Sequence, residues 1–145
     1  MKKKIEIERP DTFSINNIFV DAWTSGNPGQ CGYKLSYLGL AQTRKYFGIH
    51  SNNYAEVVAI SNGLIYGYNF ASLMQMTELK FTIWTDSTTA LTWLEKGCAN
   101  TNRDREMLNS IIHDIDAILI NNPFISIKKW RTDLWGENPA DSNRK

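Results

Sequence analysis

The first fifty residues alternate short apolar runs with turn residues, a pattern typical of consecutive β-strands. A Gly-Asn-Pro-Gly turn at residues 26–29 separates the first two runs, because glycine accepts positive φ and proline fixes a bend. A hairpin over residues 39–43 separates the second and third. The pattern therefore predicts three antiparallel strands, with a shorter alternating segment, KIEIER, before Pro10. The three runs are NNIFVDAW, GYKLSYLGL and TRKYFGIH.

After residue 53 the apolar spacing becomes that of a helix and continues to about residue 69, with Ser51 or Asn52 available as N-cap. The segment KFTIWTD predicts a fourth strand. A short helix is predicted over residues 87–96, because Gly97 favours a C-terminal stop.

A third helix has the clearest apolar stripe in the chain, and Thr101 with Asp104 predicts a start resembling a capping box. The segment FISIKKW predicts a fifth strand, and Asn138 is a plausible N-cap for a short last helix. The order of elements predicts an α/β domain with a five-stranded mixed sheet, its first three strands antiparallel, flanked by helices. The stripe consists of Leu108, Ile111, Ile112, Ile115, Ile118 and Leu119.

Composition is that of one globular domain over residues 1–145, with 42% hydrophobic and 21% charged residues. No apolar run approaches a membrane span, and no segment near Met1 resembles a signal peptide, so we expect a cytoplasmic monomer without membrane contact. Cys31 and Cys98 are expected to be reduced, buried or half-buried thiols without a disulfide partner. A net charge of +1 argues against nucleic-acid binding by bulk charge alone.

Four acidic residues fall at strand ends or helix starts, where sites gather in open α/β sheets. Burying carboxylates together is costly unless cations lie between them, and an all-oxygen set suits Mg²⁺ or Mn²⁺ rather than zinc. Acidic residues are also common at these places for capping reasons, so placement alone leaves the ordinary interpretation open. The four residues are Asp21, Glu56, Asp86 and Asp141.

The sequence around each acid narrows this choice. In FVDAWTSGNPGQCGY an Asp at a strand end precedes a Gly-Asn-Pro-Gly turn and a Gly-Tyr pair. SNNYAEVVAI carries paired Asn residues before a helical Glu, IWTDSTTAL ends a strand with Thr-Asp-Ser, and GENPADSNRK has an Asn shortly before an Asp. Together, in this order over residues 18–145, these motifs resemble those of type 1 ribonuclease H.

The resemblance implies the ribonuclease H fold and a two-metal endonuclease that cuts the RNA strand of RNA–DNA hybrids and leaves 5′-phosphates. It assigns Asp21 to bridge two Mg²⁺ or Mn²⁺ ions. Glu56 and Asp86 would complete one ion's ligands, and Asp141 would hold the other. Three asparagines would face the minor groove, where 2′-hydroxyls distinguish RNA from DNA, although Asn in turns and at helix starts is commonly a capping residue. These are Asn27, Asn52 and Asn53.

The chain departs from the family in three ways. Ala22 and Trp23 stand where the family usually has Gly-Ser; Trp23 either stacks on substrate or covers the core, and core cover is the favoured interpretation. The loop RTDLWGEN lacks the family's His, so Asp133 and Glu137 are candidates for proton handling. Residues 97–101 are too few for the basic projection of many bacterial members. Other basic residues would then hold the substrate: Lys128, Lys129, Arg131, Arg144 and Lys145.

Two other functions stay open at this stage. A non-catalytic relative could bind nucleic acid or a protein on the same fold, and the missing His weakly favours it. A DNA nuclease on this fold is the other alternative, against which the Gly-Asn-Pro-Gly and Asn-Asn motifs weigh. Retention of all four acids favours a metal-dependent ribonuclease H.

Overall fold

A computed structural model of the chain describes residues 8–41 and 45–141. Residues 4–7 of the predicted KIEIER strand lie outside these ranges. In chain order the elements are β1 Asn17–Gly26, β2 Gly29–Tyr37, β3 Leu40–Ala41, β4 Lys45–His50, α1 Asn52–Leu73, β5 Phe81–Thr85, α2 Thr88–Lys96, α3 Arg105–Asn121, β6 Ile125–Lys129 and α4 Thr132–Trp135.

The strands form one mixed sheet in the order β3–β2–β1–β5–β6, and β4 also pairs with β2. Because β1 covers one edge of β2 along its whole length, β3 and β4 share the other edge and fill one strand position. The first strands are antiparallel, whereas β5 and β6 run parallel to β1. The predicted five-stranded mixed sheet is therefore confirmed.

The first turn is tighter than predicted. Asn27 and Pro28 alone connect β1 to β2, since Gly26 pairs with Gly29, and both strands therefore extend closer to the turn than the apolar runs indicated. Positive φ at residues 38 and 39 allows a two-residue loop between β2 and β3. Residues 42 and 43 of the predicted 39–43 hairpin lie outside the described residues.

The start of α1 follows the predicted capping chemistry, and the start of α3 does not. Ser51 accepts a hydrogen bond from the N–H of Tyr54 at 3.1 Å and begins α1. Ser87 caps α2 in the same way, and α2 ends at Gly97 with φ 79°. The predicted capping box of α3 is wrong: Asp104 occupies the N-cap position with φ 54° and makes no capping hydrogen bond.

The sheet has two unequal faces. The helical face, defined as the one packed against α1, α2 and α3, carries the main core, which includes Val20, Ile60 and Leu108. The tryptophan face, on the other side, carries a small cluster around Phe19, Trp130 and Ala140. Alternation of side chains along β1 places Val20 and Phe19 on opposite faces.

Helix α1 lies unusually close to the sheet. A Cβ on Gly63 would stand 2.7 Å from a Val20 methyl carbon, and one on Gly67 would stand 2.5 Å from the Phe81 ring. Glycine therefore permits the close approach at both positions. Among the described helices, none is both long and apolar enough to cross a membrane.

Both cysteines are free thiols. Cys31 is buried, as predicted, but Cys98 is exposed just after α2, where a buried or half-buried thiol was predicted.

Candidate active site

The site lies where β1 and β5 separate. Their parallel pairing ends at Phe19 and Trp84, two residues before Asp21 and Asp86 respectively. Asp86 directly follows β5, as predicted. Asp21 does not end its strand, contrary to the prediction, because β1 continues in the hairpin with β2 to Gly26. Both carboxylates nevertheless stand at the crevice that this separation opens, the usual place for a site in an α/β sheet.

Glu56 reaches the same crevice from α1. The helix begins at Asn52, so Glu56 starts the second turn rather than lying in the first. The backbone N–H of Ala22 donates to Glu56 Oε1 at 2.8 Å and to Asp21 Oδ1 at 3.0 Å. One amide thus ties the helical carboxylate to the strand carboxylate.

Asp21, Glu56 and Asp86 form what we call the acid cluster, in which one carboxylate oxygen from each residue lies within 4.8 Å of the others. Asp21 is 8% exposed and Glu56 is 6% exposed. Burial, followed by the charges of Asp86 and Asp141, raises the pKa of Asp21 to about 8. Burial and the charges of Asp21 and Asp86 raise the pKa of Glu56 to about 9. Both carboxylates are therefore strained by desolvation and mutual repulsion.

Asp86 is the half-buried member of the acid cluster, and its charge helps to raise the pKa of Glu56. Burial raises the pKa of Asp86, while hydrogen bonding to Glu56 and the nearby Lys129 oppose the rise. Lys129 Nζ also donates to the Asp86 carbonyl at 3.1 Å and to the hydroxyl of Thr88.

The donors of the acid cluster fit a hard divalent cation. All three are carboxylate oxygens on separate elements, and Mg²⁺ or Mn²⁺ prefers such ligands. A cation among them would offset the repulsion that raises the pKa values of Asp21 and Glu56.

Asp141 belongs to the same neighbourhood but not to the acid cluster. Its charge raises the pKa of both Asp21 and Asp86. Its Oδ1 lies 3.5 Å from Lys34 Nζ. The predicted last helix is seen only as a turn, in which the N–H of Asp141 donates to the Asn138 carbonyl at 2.8 Å. Residues 142–145 lie outside the described ranges.

Asn138 fixes this turn to the sheet. Its Nδ2 donates to the Val20 carbonyl at 2.9 Å, and its Oδ1 accepts from the N–H of Ala140 at 3.0 Å, as its predicted capping role requires. Asn138 is 3% exposed. A buried amide therefore connects the segment bearing Asp141 to the strand bearing Asp21.

Lys34 is the residue of this site that sequence reasoning missed. It is 4% exposed and stands directly opposite Asp21 in the β1–β2 register. The signal was present in the turn, because a two-residue loop between Gly26 and Gly29 fixes every partner along the hairpin.

The predicted substrate-binding asparagines lie at one corner. Asn27 Oδ1 accepts a hydrogen bond from the N–H of Asn52 at 3.0 Å, which joins the β1–β2 turn to the start of α1. Asn27 is exposed, and Asn52 and Asn53 are half-buried. The structure thus brings the first two together and gives Asn27 the capping-type contact that was the ordinary alternative.

The remaining departures from the family take specific positions. Trp23 is half-buried on β1. Asp133 is exposed and forms two hydrogen bonds with Arg131, at 3.0 and 2.7 Å, which lower the pKa of its carboxyl group. Glu137 is exposed. His50 is engaged elsewhere: its Nδ1 lies 2.9 Å from Asp104 Oδ2.

The basic residues predicted to hold substrate differ in their exposure and in their contacts. Lys128 is exposed at the end of β6, whereas Lys129 is half-buried and contacts the loop after β5. Arg131 is engaged by Asp133. Arg144 and Lys145 lie outside the described residues.

Comparison with solved structures identifies the architecture. The chain is similar to the RNase H1 of the archaeon Halobacterium salinarum NRC-1, with 18% identity, a TM-score of 0.60, and 81% of this chain and 86% of that chain covered. It is also similar to LC11-RNase H1 in complex with an RNA/DNA hybrid, at 18% identity, TM-score 0.58 and coverages of 81% and 86%.

A third similar structure is the N-terminal RNase H domain of a Mycobacterium tuberculosis protein, at 17% identity, TM-score 0.52 and coverages of 79% and 86%. No protein-family model matches the sequence. Identities this low establish the fold alone, and the matches agree with the strand order and the mixed sheet described above. The chain has the type 1 ribonuclease H-like fold.

Proposed function

We propose that this protein is a metal-dependent endonuclease that hydrolyses the RNA strand of RNA–DNA hybrids and leaves 5′-phosphates. The observation that carries the proposal is the acid cluster. Three carboxylates, from β1, α1 and the residue after β5, lie within 4.8 Å of one another, and two of them, Asp21 and Glu56, are buried at a cost that a divalent cation would offset. Its position at the crevice between β1 and β5 leaves one side open to a substrate.

The residues of the site have distinct roles in this proposal. Asp21, Glu56 and Asp86 hold the metal, and the Ala22 amide keeps the first two in place. In the two-ion form implied by the family resemblance, Asp21 would contribute to holding both ions and Asp141 would hold the second. When bound, the metal supplies an activated water and stabilises the leaving 3′ oxygen.

Hybrid recognition is assigned to the corner formed by the β1–β2 turn and the start of α1. Asn27, Asn52 and Asn53 present amide groups there, and amides can donate to and accept from 2′-hydroxyls. The similarity to a ribonuclease H1 that was solved with an RNA/DNA hybrid supports this choice of substrate.

A substrate panel tests the proposal. The wild type is incubated with labelled RNA–DNA hybrid, duplex DNA and duplex RNA, with and without Mg²⁺ or Mn²⁺. We expect cleavage of the hybrid's RNA strand only, and only with a metal. Asp86→Asn should reduce the rate by roughly 10²-fold or more, because it removes a ligand charge. Asp114→Asn is the matched control, since Asp114 is exposed on α3.

Each alternative has its own outcome. Hybrid binding without cleavage in either metal would establish a binding module. Cleavage of duplex DNA would establish a DNA nuclease on this fold. Equal activity in Asp86→Asn and wild type would exclude the acid cluster as the catalytic site.

A further inference from the structure

A buried lysine accompanies the carboxylates of the proposed metal site. Lys34 is 4% exposed, and the hairpin register places it directly opposite Asp21. Directly opposed residues of an antiparallel pair project from the same face of the sheet, so the Lys34 side chain extends alongside Asp21. Its positive charge opposes the rise in the pKa of Asp21, and its Nζ lies 3.5 Å from Asp141 Oδ1.

The carboxylates therefore divide into two groups. Asp21, Glu56 and Asp86 bring oxygens within 4.8 Å of one another and form a ligand set for one ion. Asp141 lies outside that set and is paired with Lys34 instead. Asp21 belongs to the first group and also stands opposite Lys34 in the hairpin register, so it borders the second. The position that a second divalent ion would occupy, between Asp21 and Asp141, is thus the place where the lysine side chain supplies positive charge.

We propose that the Lys34 ammonium takes the place of the second divalent ion beside Asp21 and Asp141, so that the site holds a single metal ion. This inference rests on the proposed function and narrows it to a mechanism with one metal ion and one lysine. The lysine supplies a fixed positive charge on the side of the site that faces Asp141.

Electrostatics favours this arrangement over two ions beside the lysine. An ammonium and a divalent cation within a few ångströms repel each other, and burial weakens the screening that would reduce the repulsion. Lys34 starts from β2, which has neighbours on both edges, and is almost fully enclosed, so its charge is held beside Asp21 and Asp141. A second ion would have to displace the Lys34–Asp141 contact.

The direct test counts bound ions. Mn²⁺ binding to the full chain is measured by electron paramagnetic resonance, first alone and then with a short RNA–DNA hybrid, after subtracting the ions that the hybrid binds by itself. We expect one Mn²⁺ per wild-type chain in both cases. Lys34→Met, which removes the charge but keeps a long side chain, should bind two.

Two further variants separate charge from packing. Lys34→Arg keeps the positive charge and should still bind one ion. Lys80→Met removes a positive charge from an exposed residue just before β5, at the opposite end of that strand from Asp86, and should also bind one. Circular dichroism of each variant establishes that it is folded. As a second readout, the initial cleavage rate should depend on the first power of Mn²⁺ concentration at low metal.

The outcomes distinguish this inference from the proposed function. Two ions on the wild type, or one ion on a folded Lys34→Met, would overturn the role of Lys34 and leave a metal-dependent nuclease intact. No Mn²⁺ on the wild type even with hybrid would overturn the metal site and this inference together. If Lys34→Met does not fold, the wild-type and Lys34→Arg counts decide, because either one reaching two contradicts the proposal.

Discussion

The two faces of the sheet are built differently. The helical face is covered by three helices and carries most of the buried apolar side chains. The tryptophan face is covered by the chain from Trp130 to Asp141, which holds one four-residue helix and a cluster of aromatic rings. Trp130 contacts Phe19 edge to face, with 5.6 Å between the ring centroids, and its ring centroid lies 5.0 Å from that of Trp135.

The site takes residues from both faces. Glu56 is carried by α1, whose burial on the helical face is extensive. Asp141 is carried by the segment on the tryptophan face, and Lys34 contacts it there. We conclude that Glu56 rests on the larger core, whereas the Lys34–Asp141 pair depends on a small aromatic cluster.

The largest effect should come from breaking the smaller core. Trp130→Ala removes the centre of the tryptophan cluster and the hydrogen bond from its Nε1 to the Gly136 carbonyl at 2.9 Å. We expect a loss of about 3–5 kcal/mol in unfolding free energy. Cleavage per folded molecule should also fall, because the packing partner of Ala140 is lost beside Asp141. Denaturant unfolding and rate measurements on the folded fraction check both.

Leu108→Ala is the matched change on the helical face. Leu108 is fully buried on α3, and replacing it with Ala should lower the unfolding free energy by about 2–5 kcal/mol. Cleavage per folded molecule should stay unchanged, because α3 carries none of the proposed ligands. If both variants lose activity equally, the two faces contribute alike to the site and the comparison fails.

A second effect comes from the protonation of the acid cluster without metal. Asp21 and Glu56 have raised pKa values in the folded state, so the folded chain binds more protons than the unfolded chain between about pH 4 and their folded values near 8 and 9. Stability should therefore fall as pH rises through this window, by about 1.4 kcal/mol per pH unit for each of the two carboxyl groups that stays protonated only in the folded chain. Thermal melts in chelator across this range measure the slope.

Added Mn²⁺ should reduce that loss most strongly at high pH, since metal binding needs deprotonated carboxylates. Asp21→Asn should flatten the pH slope in chelator, whereas Asp114→Asn, on the exposed side of α3, should leave it unchanged. A slope that is identical in all three proteins would show that the acid cluster is not the source.

The order of strands and helices could be predicted because the residues that begin and end each element are close together in the sequence. The Gly-Asn-Pro-Gly turn, the Ser51 cap of α1 and the Gly97 stop of α2 are each determined by a few neighbouring residues. The start of α3 could not be predicted in this way. Asp104 has a capping residue's sequence position, but its carboxylate contacts His50, which is 54 residues away along the chain. Tertiary contact overrides local capping there.

A third prediction concerns how closely α1 packs on the helical face. Gly63→Ala should cost about 1–3 kcal/mol, because the added Cβ would approach Val20 at 2.7 Å. Asn69→Ala, on the exposed side of the same helix, should change stability by less than about 0.5 kcal/mol. Chemical denaturation compares the two. A neutral Gly63→Ala would mean that α1 can shift outward without cost, contrary to the tight packing described above.

The four carboxylates were found from sequence because their motifs are local, but their division into two groups was not. That division depends on Lys34, which belongs to no motif and becomes visible only when the hairpin register is counted outward from the turn. It also depends on distances between segments more than a hundred residues apart, such as Lys34 and Asp141. The period of the sequence pattern predicts on which face of the sheet a side chain lies. The distance between side chains of two separate segments is known only from the packed structure.

The smallest effect is expected in the loop that lacks the family's His, on the tryptophan face. Asp133→Ala should change turnover by less than about twofold, because Arg131 holds that carboxylate and lowers its pKa, which makes it a poor proton carrier near neutral pH. Glu137→Ala is the paired measurement, since Glu137 is the other candidate for proton handling and is exposed in the same loop. Rates at pH 6–9 compare the two. A tenfold loss in Asp133→Ala would assign proton handling to Asp133. Unchanged rates in both variants would show that neither residue of this loop handles the proton.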